Sequence, residues 1–368
     1  MLGFVTGVAF IEGASVTNPR ATSQLGSGTG AKMSYSRHNQ GMTKTSTPKR
    51  LVVAINPSAR FGANKGVGST MVEKLRSVGH DVVDLLEPSY AELIAAAKRE
   101  IAKKPDALIV VGGDGMVNLG VNLVADTGVP LGLIPAGTGN DMARSLGIPH
   151  ENQASALDVL IEALNYPARV IDAGLVTDSA GETRWFGCML SAGFDSIVNE
   201  RANRMQHPKG ASRYTIAMLL ELVTLKPIQY TIAHDGETFE SGGMMMSVGN
   251  GLSLGGGMKV TPTALLDDGL LDVLVVGPLT RIQFLRIFPK VFAGTHIEDP
   301  RVRIIKAKKI RIEADEVVAY TDGERFASLP IDIEVKPGAL RVFAPPIAVA
   351  TLRQAQETAP AKATKAPK

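Results

Sequence analysis

The hydrophobic positions in the first half of the chain alternate between short β-branched runs and helical patterns. Four runs predict strands: RLVVAINP, DVVDLL, DALIVVGG and PLGLIPAG. Two longer amphipathic stretches between them predict helices: GVGSTMVEKLRSVG and SYAELIAAAKREIAKK. Strands that alternate with helices in this way form a parallel sheet with helices on both faces. We therefore predict an α/β domain over residues 49–171.

The pattern changes after about residue 170 to short β-rich segments separated by Gly, Asp and Pro. The segments are TIAHDG, MMMSVGN, LLDVLVVG, KKIRIEAD and IDIEVKPG. They predict a mostly antiparallel β-sandwich over residues 172–335, followed by a segment over 336–354 that returns to the first domain.

One helical pattern, LTRIQFLRIFPKVFAG, interrupts this β-rich half. Arg281, Arg286 and Lys290 flank its apolar residues at near-helical spacing. The spacing favours a helix packed on its own domain, with contact to a membrane surface as the alternative.

The two ends of the chain lack apolar periodicity. Residues 1–48 are mostly rich in Ser, Thr, Gly and Asn, and residues 355–368 are rich in Ala, Lys and Pro, so we predict disorder at both ends. The opening MLGFVTGVAFI is apolar but has no Lys or Arg before it, and it is too short to cross a bilayer. We expect any membrane contact to be peripheral, either through the folded surface or through the basic tail.

Composition narrows the classes of protein. A length of 368 residues predicts two domains, and a net charge of +3 is too small to indicate a nucleic-acid partner. The single cysteine, Cys188, rules out an internal disulfide framework and a Cys-based zinc site, which fits a reducing cytoplasm. Because Cys188 lies in the apolar run WFGCML, we expect it to be buried.

Three strand ends carry residues suited to phosphate: NPSARFGANKG (56–66), GGDGMVN (112–118) and PAGTGNDMARSLG (135–147). The last two place glycines and a hydroxyl or amide where a helix begins, and helix N-termini favour anions. Adjacent parallel strands would bring them to one crevice. The first turn does not fit the dinucleotide fingerprint, and neither glycine loop has the lysine of a P-loop. Structural tight turns are the alternative.

Two acidic stretches lie in the second half: TPTALLDDGLLDV (261–273) and AYTDGERFASLP (319–330). Taken alone, each is typical of a hairpin turn with solvated acids. A magnesium site in the first and a general base in the second are the functional alternatives. The glycine-dense SVGNGLSLGGGMKVTP before the first stretch permits close backbone approach, and no individual role follows for its residues.

GGDGMVN, LGLIPAGTGNDMARSLGIP and LLDDGLLDV, in this order and spacing, resemble the diacylglycerol kinase catalytic-domain family. These lipid kinases include bacterial diacylglycerol kinases and sphingosine kinases, and the resemblance covers roughly residues 49–350. GGDG alone also resembles NAD kinases and phosphofructokinases, which share the nucleotide-domain plan. The resemblance implies an α/β nucleotide-binding domain with a parallel sheet, plus a mostly antiparallel β-sandwich as second domain.

The resemblance also implies an activity, the transfer of the γ-phosphate of ATP to a lipid hydroxyl. Diacylglycerol, giving phosphatidic acid, is the family's commonest bacterial acceptor, with ATP and Mg²⁺ as cofactors. We expect a cytoplasmic protein that reaches its lipid at the inner face of the membrane. A homodimer is expected only because two-fold dimers are the commonest oligomers. An NAD kinase-like phosphotransferase and a non-catalytic lipid- or nucleotide-binding protein of the same fold are the alternatives.

Site residues carry over from the family by position. The implied ATP contacts are Asn56, Pro57, Ser58, Ala59, Arg60, Gly112, Gly113, Asp114, Gly115, Met116, Val117, Asn118 and Thr138. A structural magnesium would be held through Leu265, Asp268 and Leu270. Glu324 is the implied base, with Asp322 as its rival in the same turn. The chain departs from the family at Met116, where threonine is usual, and in the lack of a glycine after NPSAR.

Asp114 is an acid inside a glycine loop that would otherwise suit phosphate. A carboxylate repels a bare phosphate but attracts a phosphate that arrives with magnesium. We therefore expect Asp114 to contact the metal directly or through water, with a plain turn residue as the alternative.

Overall fold

The structure is a computed structural model that describes residues 47–57, 66–205, 207, 216–218, 220–221 and 226–345, apart from the side chains of residues 67 and 203. The predicted disordered tail lies outside the described residues, as does all but the end of the predicted N-terminal extension.

The first half folds as an α/β domain. Its elements are β1 Arg50–Ile55, α1 Val67–Ser77, β2 Asp81–Leu85, α2 Tyr90–Ile101, β3 Ala107–Gly112, α3 Asp114–Val124, β4 Leu131–Pro135, α4 Asp141–Leu146 and α5 Gln153–Ala163. The strands pair in parallel in the order β2-β1-β3-β4. Every residue of β3 and β4 is buried, as expected for parallel strands covered by helices on both faces. The carboxyl ends of β1, β3 and β4 therefore meet at one edge.

Within the described residues, the second half adds the following strands and helices. They are β5 Arg169–Asp178, β6 Thr183–Phe186, β7 Met189–Ser191, α6 Phe194–Arg204, β8 Ile228–His234, β9 Glu237–Gly243, β10 Met245–Gly249, β11 Leu271–Val276, α7 Arg281–Ile287, α8 Lys290–Ala293, β12 Val302–Ala307, β13 Lys309–Glu313, β14 Val318–Thr321, β15 Glu324–Ser328 and β16 Ile331–Phe343. A short 3₁₀ helix, Thr295–Glu298, follows α8.

The long strand β16 joins the two halves. It pairs with β5 and β13 in antiparallel fashion, and its last residues, Val342 and Phe343, pair in parallel with β4. Within the described residues this gives a ten-stranded sheet in the order β2-β1-β3-β4-β16-β13-β8-β9, with β5 paired to β16 and β6 paired to β5. The sheet of the first half thus continues into the second without a break.

A second sheet of six antiparallel strands, β12-β11-β10-β7-β14-β15, completes the sandwich in the described part of the chain. Its apolar face packs on the extension of the first sheet, where Val248 and Val273 share a core with Ile232 and Ile310. The predicted fold class, a parallel α/β domain plus a mostly antiparallel β-sandwich, is confirmed.

The helices of the second half differ from the sequence-based expectation. The pattern LTRIQFLRIFPKVFAG forms two short helices, α7 and α8, because Pro289 cannot donate a backbone hydrogen bond and interrupts the run. Helix α6 was not predicted, because its sequence FDSIVNERANR has few apolar residues. Phe194, Val198 and Ala202 recur at helical spacing and are buried.

Cys188 is buried, as expected. The pKa of its thiol lies well above the ordinary value, mainly because of this burial. Across the part of the chain that the structure describes, no helix combines the length and the apolar character needed to span a bilayer.

Helix α6 carries a buried carboxylate, that of Asp195. Both carboxyl oxygens of Asp195, in the first turn of that helix, are shielded from solvent. Burial raises the pKa of Asp195 to about 6, and the hydroxyls of Ser191 and Ser247 only partly oppose the shift. The folded state therefore binds a proton at Asp195 between about pH 4 and pH 6, where the unfolded chain has lost it.

This raised pKa predicts a pH-dependent stability. Below about pH 4 Asp195 is protonated in both states, so Asp195→Asn and the wild type should have similar free energies of unfolding. As the pH rises to about 6, the wild type should lose up to about 3 kcal/mol relative to the variant, and the deficit should then stay constant. Urea unfolding across this range measures the difference. Asp158→Asn, at an exposed position, should show no such trend, and a flat difference for Asp195→Asn would contradict the assignment.

Candidate active site

Two glycine loops meet at the carboxyl edge of the parallel sheet. Gly112 ends β3, and its carbonyl accepts the N–H of Ala136, which follows β4, at 2.8 Å. The backbones of Gly113 and Gly137 are so close that a methyl group on Gly137 would lie 2.4 Å from the Gly113 Cα. Both positions require glycine because a side chain at either one would force the loops apart.

The Asp114 carboxylate holds the two loops together. Its Oδ2 accepts the backbone N–H of Asn140 at 2.9 Å, and its Oδ1 accepts that of Asp141 at 2.8 Å. These N–H groups belong to the start of α4, so Asp114 caps that helix from the neighbouring loop. Burial raises the pKa of Asp114, as does the nearby charge of Asp141, and the two backbone hydrogen bonds oppose the rise. Asp114 is thus a loop anchor first, and its predicted contact with a metal stays a prediction.

Asp141 makes a second tie that the sequence analysis did not foresee. Its carboxylate accepts the N–H groups of Gly256 and Gly257, each at 3.0 Å, and Asp141 is only 6% exposed. The glycines belong to the glycine-dense segment of the second half, and both have positive φ angles. The spacing of PAGTGNDM, which puts an acid at the first position of a helix, was the available signal.

The loop after β1 is described only at its start. Ser58, Ala59 and Arg60 lie outside the described residues, so their predicted contacts with ATP stay predictions. The N–H of Asn56 donates to the carbonyl of Val111 on β3 at 3.2 Å, which holds it at the same edge. The Asn56 side chain also hydrogen-bonds to Tyr90, the first residue of α2. Tyr90 was missed because SYAEL indicated only a helix start.

The last three residues of GGDGMVN are buried. Met116 is 1% exposed, its side chain packs beneath Gly112, and its N–H donates to the Gly113 carbonyl at 2.9 Å. The Val117 N–H bonds to the same carbonyl, and the Asn118 side-chain amide reaches the Thr321 carbonyl. The predicted contacts of Met116, Val117 and Asn118 with ATP stay predictions. Methionine at position 116 fills the core beneath Gly112.

Thr138 lies in the loop after β4 and is exposed. The first turn of α3, at Asp114 and Gly115, lies at the same edge of the sheet, so the positive end of the α3 dipole lies there too. The contacts of Gly112, Gly113, Gly115 and Thr138 with a nucleotide stay predictions.

Asp322 and Gly323 form the two-residue turn between β14 and β15. Both have positive φ, 47° and 86°, as an Asp-Gly hairpin turn requires. Asp322 is only 9% exposed. Its carboxylate accepts hydrogen bonds from the backbone N–H groups of Gly187, Cys188 and Met189 at 2.8–2.9 Å. Burial is the first cause that raises its pKa, and these three hydrogen bonds oppose the rise. Asp322 therefore fixes the turn onto the start of β7.

Glu324 has a different environment. It is exposed, and within the described residues its carboxylate has no hydrogen-bond partner. A methyl group on Gly115 would lie 3.2 Å from Glu324 Oε1, which puts this carboxylate directly over the first turn of α3. The pKa of Tyr90 is raised mainly by burial and, second, by the negative charge of Glu324. The two acids that the sequence left unranked are thus distinct: Asp322 is fully bonded, and Glu324 faces the crevice.

The stretch predicted to hold magnesium contains an ion-pair cluster. The Lys306 ammonium lies 2.9 Å from Asp268 Oδ2 and 3.0 Å from Oδ1 of the buried Asp272. Asp268 Oδ1 accepts the N–H of Leu270 at 3.1 Å, so both oxygens of Asp268 already accept a donor. No group of three or more His, Cys, Asp or Glu suited to a metal occurs among the described residues. As folded, the site at Leu265, Asp268 and Leu270 fits a lysine ammonium better than a divalent cation.

Comparison with known proteins identifies both halves. Residues 50–173 match the family model of the diacylglycerol kinase catalytic domain, and residues 188–344 match that of the YegS C-terminal NAD kinase beta sandwich-like domain. A diacylglycerol kinase of Mycobacterium tuberculosis is 38% identical over 300 residues, which cover 80% of this chain and 95% of the relative. A diacylglycerol kinase of Bacillus subtilis is 28% identical over 286 residues, covering 77% and 92%.

A solved structure shows the same architecture. The crystal structure of a diacylglycerol kinase from Bacillus anthracis has a TM-score of 0.63 and 26% sequence identity, and the match covers 83% of this chain and all of that one. The glycine loops, the turn that carries Glu324 and the sandwich all lie within the matched residues. The chain therefore belongs to the diacylglycerol kinase catalytic-domain family of lipid kinases.

Proposed function

We propose that this protein transfers the γ-phosphate of ATP to the hydroxyl of a membrane lipid, and that diacylglycerol is the acceptor. The observation that carries the proposal is the position of the Glu324 carboxylate over the first turn of α3, at the edge of the sheet where two glycine loops meet. The names of the curated relatives support a kinase of this class.

The nucleotide end of the reaction belongs to the carboxyl edge of the sheet. The two loops pack backbone to backbone, so peptide groups rather than side chains form this wall of the crevice. Such donors, together with the α3 dipole, suit the phosphates of ATP. Each Asp114 oxygen that accepts an N–H keeps a second acceptor site, which could hold a water of magnesium bound with ATP. Magnesium bound there would neutralise phosphate charge.

The acceptor end belongs to the turn of the second half. In the proposed reaction Glu324 takes the proton of the lipid hydroxyl while that oxygen forms a bond to the γ-phosphorus. The bond from the γ-phosphorus to the β–γ bridging oxygen breaks, and ADP leaves. Asp322 is a positioning residue, because its three backbone hydrogen bonds set the turn from which Glu324 projects. A lipid acceptor implies that the enzyme works at the cytoplasmic surface of a membrane, as a peripheral protein.

No step of this reaction is routed through the Asp268 site. Lys306 already compensates the charge of Asp268 and Asp272, and this pairing ties β12 to the turn before β11. We propose that the lysine performs the structural task that the resemblance assigns to a magnesium ion.

The proposed activity predicts the fate of the γ-phosphate. With radiolabelled ATP and magnesium, label should enter diacylglycerol in mixed vesicles more than any other lipid of a panel containing sphingoid bases, polyprenols and glycolipid precursors. NAD should stay unlabelled in the same assay. Label in NAD, or ATP binding with no labelled lipid, would contradict the proposal.

The two acids of the turn should respond differently to neutral isosteres. Glu324→Gln removes the base and should lower turnover by about 10²–10⁴, with the melting temperature unchanged because the side chain is exposed. Asp322→Asn places an amide NH2 where a buried backbone N–H needs an acceptor, and should lower the free energy of unfolding by about 1–3 kcal/mol. Asp315→Asn, at an exposed position of the same half, should change neither quantity. If Glu324→Gln stays active while Asp322→Asn is stable but inactive, Asp322 is the base and the proposed role of Glu324 is wrong.

The lysine cluster predicts the response to chelators. Removing divalent ions should leave the melting temperature of the nucleotide-free wild type unchanged, because Lys306 supplies the positive charge. Lys306→Met should lower the free energy of unfolding by about 1–3 kcal/mol, since Asp272 is buried while the lysine is partly exposed. Magnesium should restore part of that loss. Lys308→Met, also exposed, is the control. A wild type that loses stability on chelation would show that a metal is required.

A further inference from the structure

Helices α7 and α8 present large apolar side chains to solvent. Phe284 and Ile287 face the core, but Ile282, Leu285 and Phe292 are 64%, 51% and 52% exposed. One inward stripe is enough to anchor an amphipathic helix, so packing within the domain leaves the outward residues unexplained. Clustered exposed apolar side chains of this kind mark interaction sites.

The same helices carry positive charge. From 278 to 294 the sequence contains no Asp or Glu, while Arg281, Arg286 and Lys290 are exposed. We define the α7–α8 surface as these three basic residues with Ile282, Leu285 and Phe292. Exposed apolar side chains beside basic ones on short helices complement the acyl and anionic headgroup layers of a bilayer.

We propose that the α7–α8 surface docks the protein on an anionic lipid bilayer. The proposal rests on the proposed lipid-kinase function, which requires the enzyme to meet its acceptor at a membrane. A few apolar side chains on two short helices bind reversibly, and the basic residues make the binding dependent on salt. Exchange between bilayer and solution would allow product and substrate lipids to be replaced.

Packing links this surface to the turn that carries Glu324. The Phe284 ring meets Phe194, the first residue of α6, edge to face with centroids 5.0 Å apart. On the same helix Glu200 accepts hydrogen bonds from the Tyr320 hydroxyl and the Arg325 guanidinium, both at 2.8 Å. Tyr320 and Arg325 flank the Asp322–Gly323 turn and Glu324. Helix α6 therefore braces both the docking helices and the acidic turn.

Vesicle binding of the full chain tests the proposal apart from catalysis. The wild type should sediment with phosphatidylcholine vesicles that contain phosphatidylglycerol, less with phosphatidylcholine alone, and less as salt is raised. Ile282→Ser/Leu285→Ser/Phe292→Ser and Arg286→Glu/Lys290→Glu should each weaken binding to the anionic vesicles at least tenfold. Val78→Ser/Val170→Ser changes exposed apolar residues elsewhere and should bind as the wild type does. Thermal unfolding should show all variants folded.

Activity on a monomeric short-chain diacylglycerol separates docking from chemistry. The docking variants should keep wild-type turnover on this soluble acceptor and lose turnover on vesicles. A wild type that binds anionic vesicles but phosphorylates no lipid would leave the docking surface supported and overturn the proposed function. Undiminished vesicle binding by the triple serine variant would overturn the docking surface, as would a wild type that ignores anionic vesicles. A triple variant that only changes from dimer to monomer would assign the surface to self-association.

Discussion

The geometry of this enzyme depends on buried carboxylates that accept backbone N–H groups from a neighbouring element. Asp114 does so between the two glycine loops, where its two hydrogen bonds add to the one between the Gly112 carbonyl and the Ala136 N–H. A buried carboxylate is costly unless hydrogen bonds compensate it, and backbone N–H groups at a helix start supply that compensation. The same bonds satisfy donors that α4 leaves unpaired.

The same kind of bond recurs in three other places within the described residues, one of which joins the two halves. Asp141 binds the Gly256–Gly257 backbone, Asp322 binds the start of β7, and Asp172 accepts the N–H groups of Gly269 and Gly338. Each acid lies on one segment and fixes another that is distant in sequence. Together with the continuous sheet through β16, these ties keep the crevice and the Glu324 turn in one geometry. Among the acids discussed around the crevice, Glu324 differs because no described residue hydrogen-bonds to its side chain.

The sequence predicted the fold well because strand and helix periodicities are local properties. Strands β1 to β4 follow from continuous apolar runs, and the glycine turns follow from their residues. Helix α6 was not predicted because only three apolar residues form its buried stripe, within an otherwise charged and polar sequence. The roles of Asp322 and Glu324 could not be ranked, because burial and hydrogen-bond partners come from β7 and α3, far away in the chain. Lys306 was overlooked for the same reason.

The central claim is that Glu324 is the base and that Asp322 holds its turn. The most direct test is a crystal structure with a non-hydrolysable ATP analogue, magnesium and a short-chain diacylglycerol. The account predicts the acceptor hydroxyl within about 2.6–3.2 Å of a Glu324 carboxyl oxygen, in line with the γ-phosphate, with Asp322 still bonded to the start of β7. An acceptor hydroxyl bound to Asp322 instead, or a nucleotide bound away from the glycine loops, would contradict it.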